Sequence, residues 1–199
     1  IKCSECQYRE WVPVSEDIIE KHLRGSDERG HDFTIGVYPM LEDETCFFLA
    51  VDFDKQNFRE DVQAFLLTCR RFNIPAALER SRSGNGAHVW IFFTSPIPAR
   101  TARRLGCFLL TETMGSRPEL GFESYDRFFP NQDTMPQGGL GNLIALPLQA
   151  KPRQRGNSVF LDDAMTPYPD QWKFLAGIRK MQPAEVETLA AQAVESGRV

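Results

Sequence analysis

Apolar residues recur along this chain in two rhythms, one near 3.6 residues and one of two, and the switches between them outline its elements. Phe58, Val62, Phe65, Leu66, Cys69 and Phe72 fall on one helical face and predict a helix over 58–72, stopped at Asn73. A second amphipathic helix is expected over 98–114, with Ala99, Ala102, Leu105, Phe108 and Leu109 inward. The almost unbroken apolar run 45–53 (TCFFLAVDF) is short and rich in aromatic residues, so it reads as a buried strand. The run 87–93 (AHVWIFF) reads the same way. Residues 75–79 precede it across the turn Ser83-Gly84-Asn85-Gly86, which predicts a hairpin. Near the start, Ser15 before Glu16 and Asp17 marks a helix N-terminus, with Ile18, Ile19, His22 and Leu23 as its expected buried face. A polar break over 25–30 and a strand over 33–38 follow. Further strands are expected over 120–125, 143–148 and 158–161, with a turn-rich loop over 130–142. Helices over 170–179 and 183–196 end the chain, the second with Pro183 at its N-terminus.

The order strand, helix, hairpin, helix, strand predicts an α+β fold. Its core would be an RRM-like (ferredoxin-like) sheet with flanking helices, joined by an additional α/β subdomain. We expect one domain, with 1–44 part of an accessory module, 45–165 the core and 166–199 the closing helices.

Composition narrows the class. The 199 residues are 42% hydrophobic and 25% charged, enough to bury a core without disulfides. No run approaches the roughly 18 apolar residues of a membrane span. A net charge of −4 argues against a general nucleic-acid coat, but not against an enzyme with an acidic metal site beside a basic groove. Basic residues gather at 70–71, 80–82, 100–104 and 151–155, each also readable as a solvated face. Cys46, Cys69 and Cys107 lie in apolar segments and read as core packing. An odd cysteine count without a secretory signal points to a reducing, cytoplasmic setting. Cys3 and Cys6 form a C-x-x-C, half of a zinc site that His22 or His31 would have to complete. A start at Ile1 suggests a piece excised from a longer protein.

Three groups of residues carry candidate chemistry. Asp52 and Asp54 end the strand 45–53, and alternation puts both on one face while Phe53 enters the core. Paired carboxylates suit a hard cation such as Mg²⁺ or Mn²⁺; the plainer alternative is a strand ending in surface acids. The turn Ser83, Gly84, Asn85, Gly86 leads to His88, with Arg80 and Arg82 beside it. Its amides and polar side chains suit a phosphate, although a plain hairpin turn accounts for the same glycines. Asp126 would end a third strand and join Asp52 and Asp54 if the strands are neighbours. Three such acids can hold two ions roughly 3.5–4 Å apart for phosphoryl transfer. Glu123 competes for that third place, and Asp133 is less suited, being inside the loop. The chain has no G-x-x-x-x-G-K-[ST] loop, no H-E-x-x-H site and no serine-histidine-acid order.

Val51-Asp52-Phe53-Asp54, the stretch from Ser83 to His88, and Tyr125-Asp126 resemble, in order and spacing, the three motifs of the archaeo-eukaryotic primase superfamily. The longer stretches IGVYPML (35–41), FLAVDFDK (48–55), LERSRSGNGAHVWIFF (78–93), SYDRFFPNQDTMPQGGLGNLIALPLQ (124–149) and GNSVFLDD (156–163) are similar to the primase-polymerase domains of TOTE conflict systems and CRISPR-associated Prim-Pols. Together they span nearly the whole chain. The resemblance implies template-directed addition of NTPs or dNTPs to a primer or initiating nucleotide by a two-metal mechanism with Mg²⁺ or Mn²⁺. It implies that Asp52, Asp54 and Asp126 bind metal, and that Ser83, His88 and their neighbours bind the triphosphate. Lys151, Arg153 and Arg155 fall where related polymerases supply basic contacts to nucleotide or template. The implied partners are a single-stranded DNA or RNA template, a primer, and helicase or nuclease modules. On residues alone, a metal-dependent nuclease and a non-catalytic RRM-like nucleic-acid-binding module stay open.

Overall fold

Strand β2 (Thr45–Phe53) lies inside the main sheet because its side chains are wanted on both faces. The computed structural model describes residues 12–54, 56–116, 127–135 and 141–198. In chain order the other elements are α1 (Glu16–Arg24), β1 (Gly36–Val37), α2 (Phe58–Arg71), β3 (Ala77–Arg80), β4 (Ala87–Pro98), α3 (Ala99–Ser116), β5 (Arg127–Phe129), β6 (Ile144–Ala145), α4 (Ala150–Arg153), β7 (Val159–Leu161), α5 (Gln171–Gly177) and α6 (Pro183–Glu195). Five strands pair antiparallel in the order β5-β2-β4-β3-β7, and β1 pairs with β6 in a separate ribbon. The fold is mixed α and β with antiparallel sheets.

One face of the main sheet carries the core. Phe53 meets Phe65 of α2 with ring centroids 5.5 Å apart. Leu49, Val51, Val89 and Ile91 are fully buried, as are Val62, Leu105 and Leu109 of the two helices. Burying each such side chain contributes about 1.5–3 kcal/mol. Gly106 of α3 lets that helix sit close, since a Cβ there would fall 2.8 Å from the Phe128 ring. Cys46 and Cys69 belong to this core, and burial pushes the Cys46 thiol up to about 12 and the Cys69 thiol higher still.

The opposite face carries Ala50 and Asp52 from β2, and His88, Trp90 and Phe92 from β4. Beyond the polar end of this face lies an apolar cavity of about 370 Å³, lined by Phe48, Trp90, Phe92, Phe160, Leu148 and Trp172 among others.

The expected strand over 33–38 shortens to two residues, and that over 143–148 to two. Strands β1 and β6 pair only with each other, in a two-stranded ribbon. The strand expected over 120–125 lies outside the described residues. Strand β4 instead runs past Phe93 to Pro98, where it pairs again with β2 after an interruption in register. Phe48 pairs with Phe92 and Cys46 with Ile97. Between them the chain turns to the segment before α6, where Met181 N–H donates to Phe92 O at 2.9 Å and Thr94 N–H to Met181 O at 3.0 Å.

Helix α1 begins as its sequence predicts. Ser15 Oγ accepts from Ile18 N–H at 3.3 Å, and Gly25 closes the helix at φ +80°. Its buried face differs in part. His22 is fully buried as expected, while Ile19 stays exposed. His22 Nδ1 accepts from Ile35 N–H at 3.1 Å, so Nε2 carries the proton and donates to Pro147 O at 2.9 Å. Burial holds this imidazole below the usual histidine range. With both nitrogens engaged, His22 ties α1 to the two segments around the small ribbon and has no lone pair to offer a metal. Cys3 and Cys6 lie outside the described residues.

Candidate functional site

The register of the main sheet aligns one row of residues across all five strands. Asp52 on β2 pairs with His88 on β4, and His88 pairs with Glu79 on β3. Arg127 on β5 and Phe160 on β7 complete the row at its two ends. The side chains of the central three meet. His88 Nε2 lies 3.5 Å from Asp52 Oδ1, and His88 Nδ1 lies 2.9 Å from Glu79 Oε2. Exposure falls along the row, from 15% at Asp52 and 13% at His88 to 2% at Glu79. Asp52 and His88 are therefore reachable from outside, whereas Glu79 backs them from the interior.

Asp54 stands one step beyond the last ladder pair, Phe53 with Ala87, and so lies opposite Gly86. It is exposed. Gly86 is buried against it, since a Cβ there would fall 2.6 Å from Phe53 O and 3.2 Å from Asp54 Cα. The missing side chain lets the turn close onto the end of β2, which sets the acids and the turn side by side.

The turn 81–86 is internally bonded. Ser81 N–H donates to Gly86 O at 2.9 Å and Gly84 N–H to Ser81 O at 3.0 Å. Asn85 N–H donates to Ser83 Oγ at 3.1 Å. Three amides are thus used within the turn, and the side chains of Arg82, Ser83 and Asn85 are exposed on it. Gly84 adopts φ +83° and abuts Asn157, whose Nδ2 donates to Arg82 O at 3.4 Å.

The remaining expected residues have other engagements. Arg80 points its guanidinium across the sheet edge, donating to Gly156 O at 3.0 Å and Met165 O at 2.9 Å. It braces the loops on either side of β7. Lys151 forms an exposed ion pair with Asp32 at 2.5 Å, and Arg153 donates to Leu23 O at 3.2 Å, so both turn toward α1 and the loop after it. Asp133 holds the loop after β5 onto α3 through Arg103 and Arg100. Asp126 and Glu123 lie outside the described residues. The sequence reading does not single out Glu79, although its signal was present. With Arg80 and Ala87 closing the hairpin, the next pair outward is Glu79 and His88.

The family model for the TOTE conflict system, Archaeo-Eukaryotic Primase domain, matches residues 1–189. The chain belongs to that family. Comparison with curated proteins gives no match. Membership places this primase domain in a superfamily of primases and nucleotidyltransferases, which generally use divalent metals. Asp52 and Asp54 fit such an ion by donor chemistry, being carboxylates two residues apart at the end of β2, one half-buried and one exposed. Among the described residues no group of three or more histidine, cysteine, aspartate or glutamate side chains forms a metal cluster. Among them, too, no helix is long and apolar enough to cross a membrane.

Proposed function

We propose that this primase domain is a template-directed nucleotidyltransferase, a primase-polymerase that adds NTPs or dNTPs to a primer or an initiating nucleotide. The observation that carries this reading is the juxtaposition of Asp52, His88 and the 81–86 turn at the open end of one sheet face, with Asp54 opposite Gly86. The strand order β5-β2-β4-β3, connected as strand, helix, hairpin, helix, strand, supports an RRM-like core for it.

In this reading Asp52 and Asp54 hold Mg²⁺ or Mn²⁺, and Asp126 is the third acid, with Glu123 as its competitor. Asp126 precedes Arg127, whose backbone pairs with Asp52. The metals would supply a lowered pKa for the attacking hydroxyl and charge stabilisation at the α-phosphate. The chain's own groups bind and orient. His88 Nε2, Ser83 and Asn85 face the triphosphate side of the site. Gly84 and Gly86 keep the turn close to β2. Lys151 and Arg153 add basic contacts for nucleotide or template, and the exposed Lys151–Asp32 pair costs little to exchange for a phosphate.

The test is a labelled primer-template incubated with nucleotides and Mn²⁺. Wild type lengthens the primer; shortening would point to a nuclease, and no change with bound nucleic acid to a non-catalytic module. Asp52→Ala and Asp54→Ala should each abolish extension while circular dichroism stays native. Full extension by either variant overturns the proposal. Asp126→Ala against Glu123→Ala decides which acid is the third.

A further inference from the structure

Glu79 sits on β3, between β4 and the edge strand β7, and is 2% exposed. A carboxylate in such a place is costly unless hydrogen bonds replace its water. Two bonds converge on a single oxygen, Oε2. Trp90 Nε1–H donates to it at 2.8 Å, and His88 Nδ1 lies 2.9 Å away. The indole can only donate, and an ionised carboxylate can only accept. His88 therefore donates from Nδ1, and its other nitrogen, Nε2, turns to the Asp52 side of the site. The clamp on Glu79 is rigid. Trp90 is itself buried, lies parallel to Phe92 at 6.0 Å and meets Phe48 at 5.2 Å.

We propose that Glu79 is a positioning residue for His88, fixing its ring orientation and keeping a proton on Nδ1, so that Nε2 is the nitrogen that faces the nucleotide and, when it bears a proton too, donates to a phosphate oxygen. This rests on the reading of His88 as a triphosphate ligand. The apolar row Trp90–Phe92–Phe48 extends the device, because it locks the second donor and so the position of the shared oxygen. Polar partners that orient a metal-ligating histidine in this way cost on the order of 10- to 100-fold in affinity or activity when removed, and the same scale is taken for His88.

The experiment pairs a spectrum with kinetics. The side-chain ¹⁵N spectrum of His88 in the wild-type chain should show Nδ1 protonated and bonded. Trp90→Phe should leave that proton in place, since the Glu79–His88 bond remains. Glu79→Ala should abolish the preference and raise the nucleotide KM by roughly 10- to 100-fold, with kcat changed less. Glu79→Gln keeps an oxygen at the shared position and should stay close to wild type in both readouts. In a His88→Ala background, Glu79→Ala should add no further loss. Protonation of His88 on Nε2 alone in the wild type overturns the proposal. So does a folded Glu79→Ala variant with unchanged KM, or losses that add independently to those of His88→Ala. Should Glu79→Ala fail to fold, the wild-type spectrum and Glu79→Gln decide. Failure of the wild type to bind any nucleoside triphosphate would refute the functional reading, whereas the nitrogen spectrum judges the Glu79–His88 link by itself.

Discussion

Replacing Gly86 by alanine adds one methyl group at the junction between the 81–86 turn and the end of β2. That methyl would stand 2.6 Å from Phe53 O and 3.2 Å from Asp54 Cα. Both are backbone atoms, so no side-chain rotation relieves the contact and the turn must lift off the strand. Over-packing of this kind costs about 1–3 kcal/mol, a folding constant lowered roughly 5- to 150-fold. The atoms displaced belong to the residue that carries Asp54, so activity should fall further than stability does. The comparison is Gly84→Ala, where the new methyl meets the Asn157 side chain, which can move, and the penalty comes from φ +83°. Urea denaturation gives the stability change. Primer extension, at a temperature where both variants are fully folded, gives the functional one. A Gly86→Ala protein with a wild-type urea midpoint refutes the close-approach reasoning. A destabilised but fully active one refutes the link between turn and acid geometry.

Other residues give separate tests. Arg80→Ala removes two charged hydrogen bonds that brace Gly156 and Met165, and should lower stability by about 1.5–3 kcal/mol, with Arg80→Lys restoring only part because an ammonium cannot span the fork. An unchanged urea midpoint with weaker nucleotide binding would instead put Arg80 on the ligand. His22 is buried neutral with its folded pKa lowered, so its contribution is present above the unfolded histidine value of about 6.5 and is lost as pH falls through the folded value. Urea midpoints from neutral to mildly acid pH should decline through that window, and His22→Gln should flatten the decline; equal slopes would count against the buried imidazole as its source.

The periodic segments were legible because they are local. Strand β2, helix α2 and helix α3 follow from which residues repeat on one face, and each has about its expected length. Short segments were less so. The predicted strand over 33–38 is two residues long because its pairing depends on 144–145, more than a hundred residues away. Helix α1 buries His22 as expected, because Ile35 and Pro147 offer the histidine its two partners, but it leaves Ile19, also expected inside, exposed.

Sequence alone determined which side chains share a face. Alternation sets Asp52 and Asp54 together and sends Phe53 inward, and hairpin spacing brings His88 to the mouth of a glycine turn. The chain's strings also carried its kinship with archaeo-eukaryotic primases. Only the tertiary structure decided which faces meet. It set β4 beside β2, so that His88 lies against Asp52, and closed Glu79 behind both. It also gave Arg80 to carbonyls 76 and 85 residues away and turned Lys151 toward Asp32. The division is physical. Periodicity records the direction a side chain takes from its own backbone, whereas a charge's partner is chosen by whatever the folded chain brings within about 3 Å.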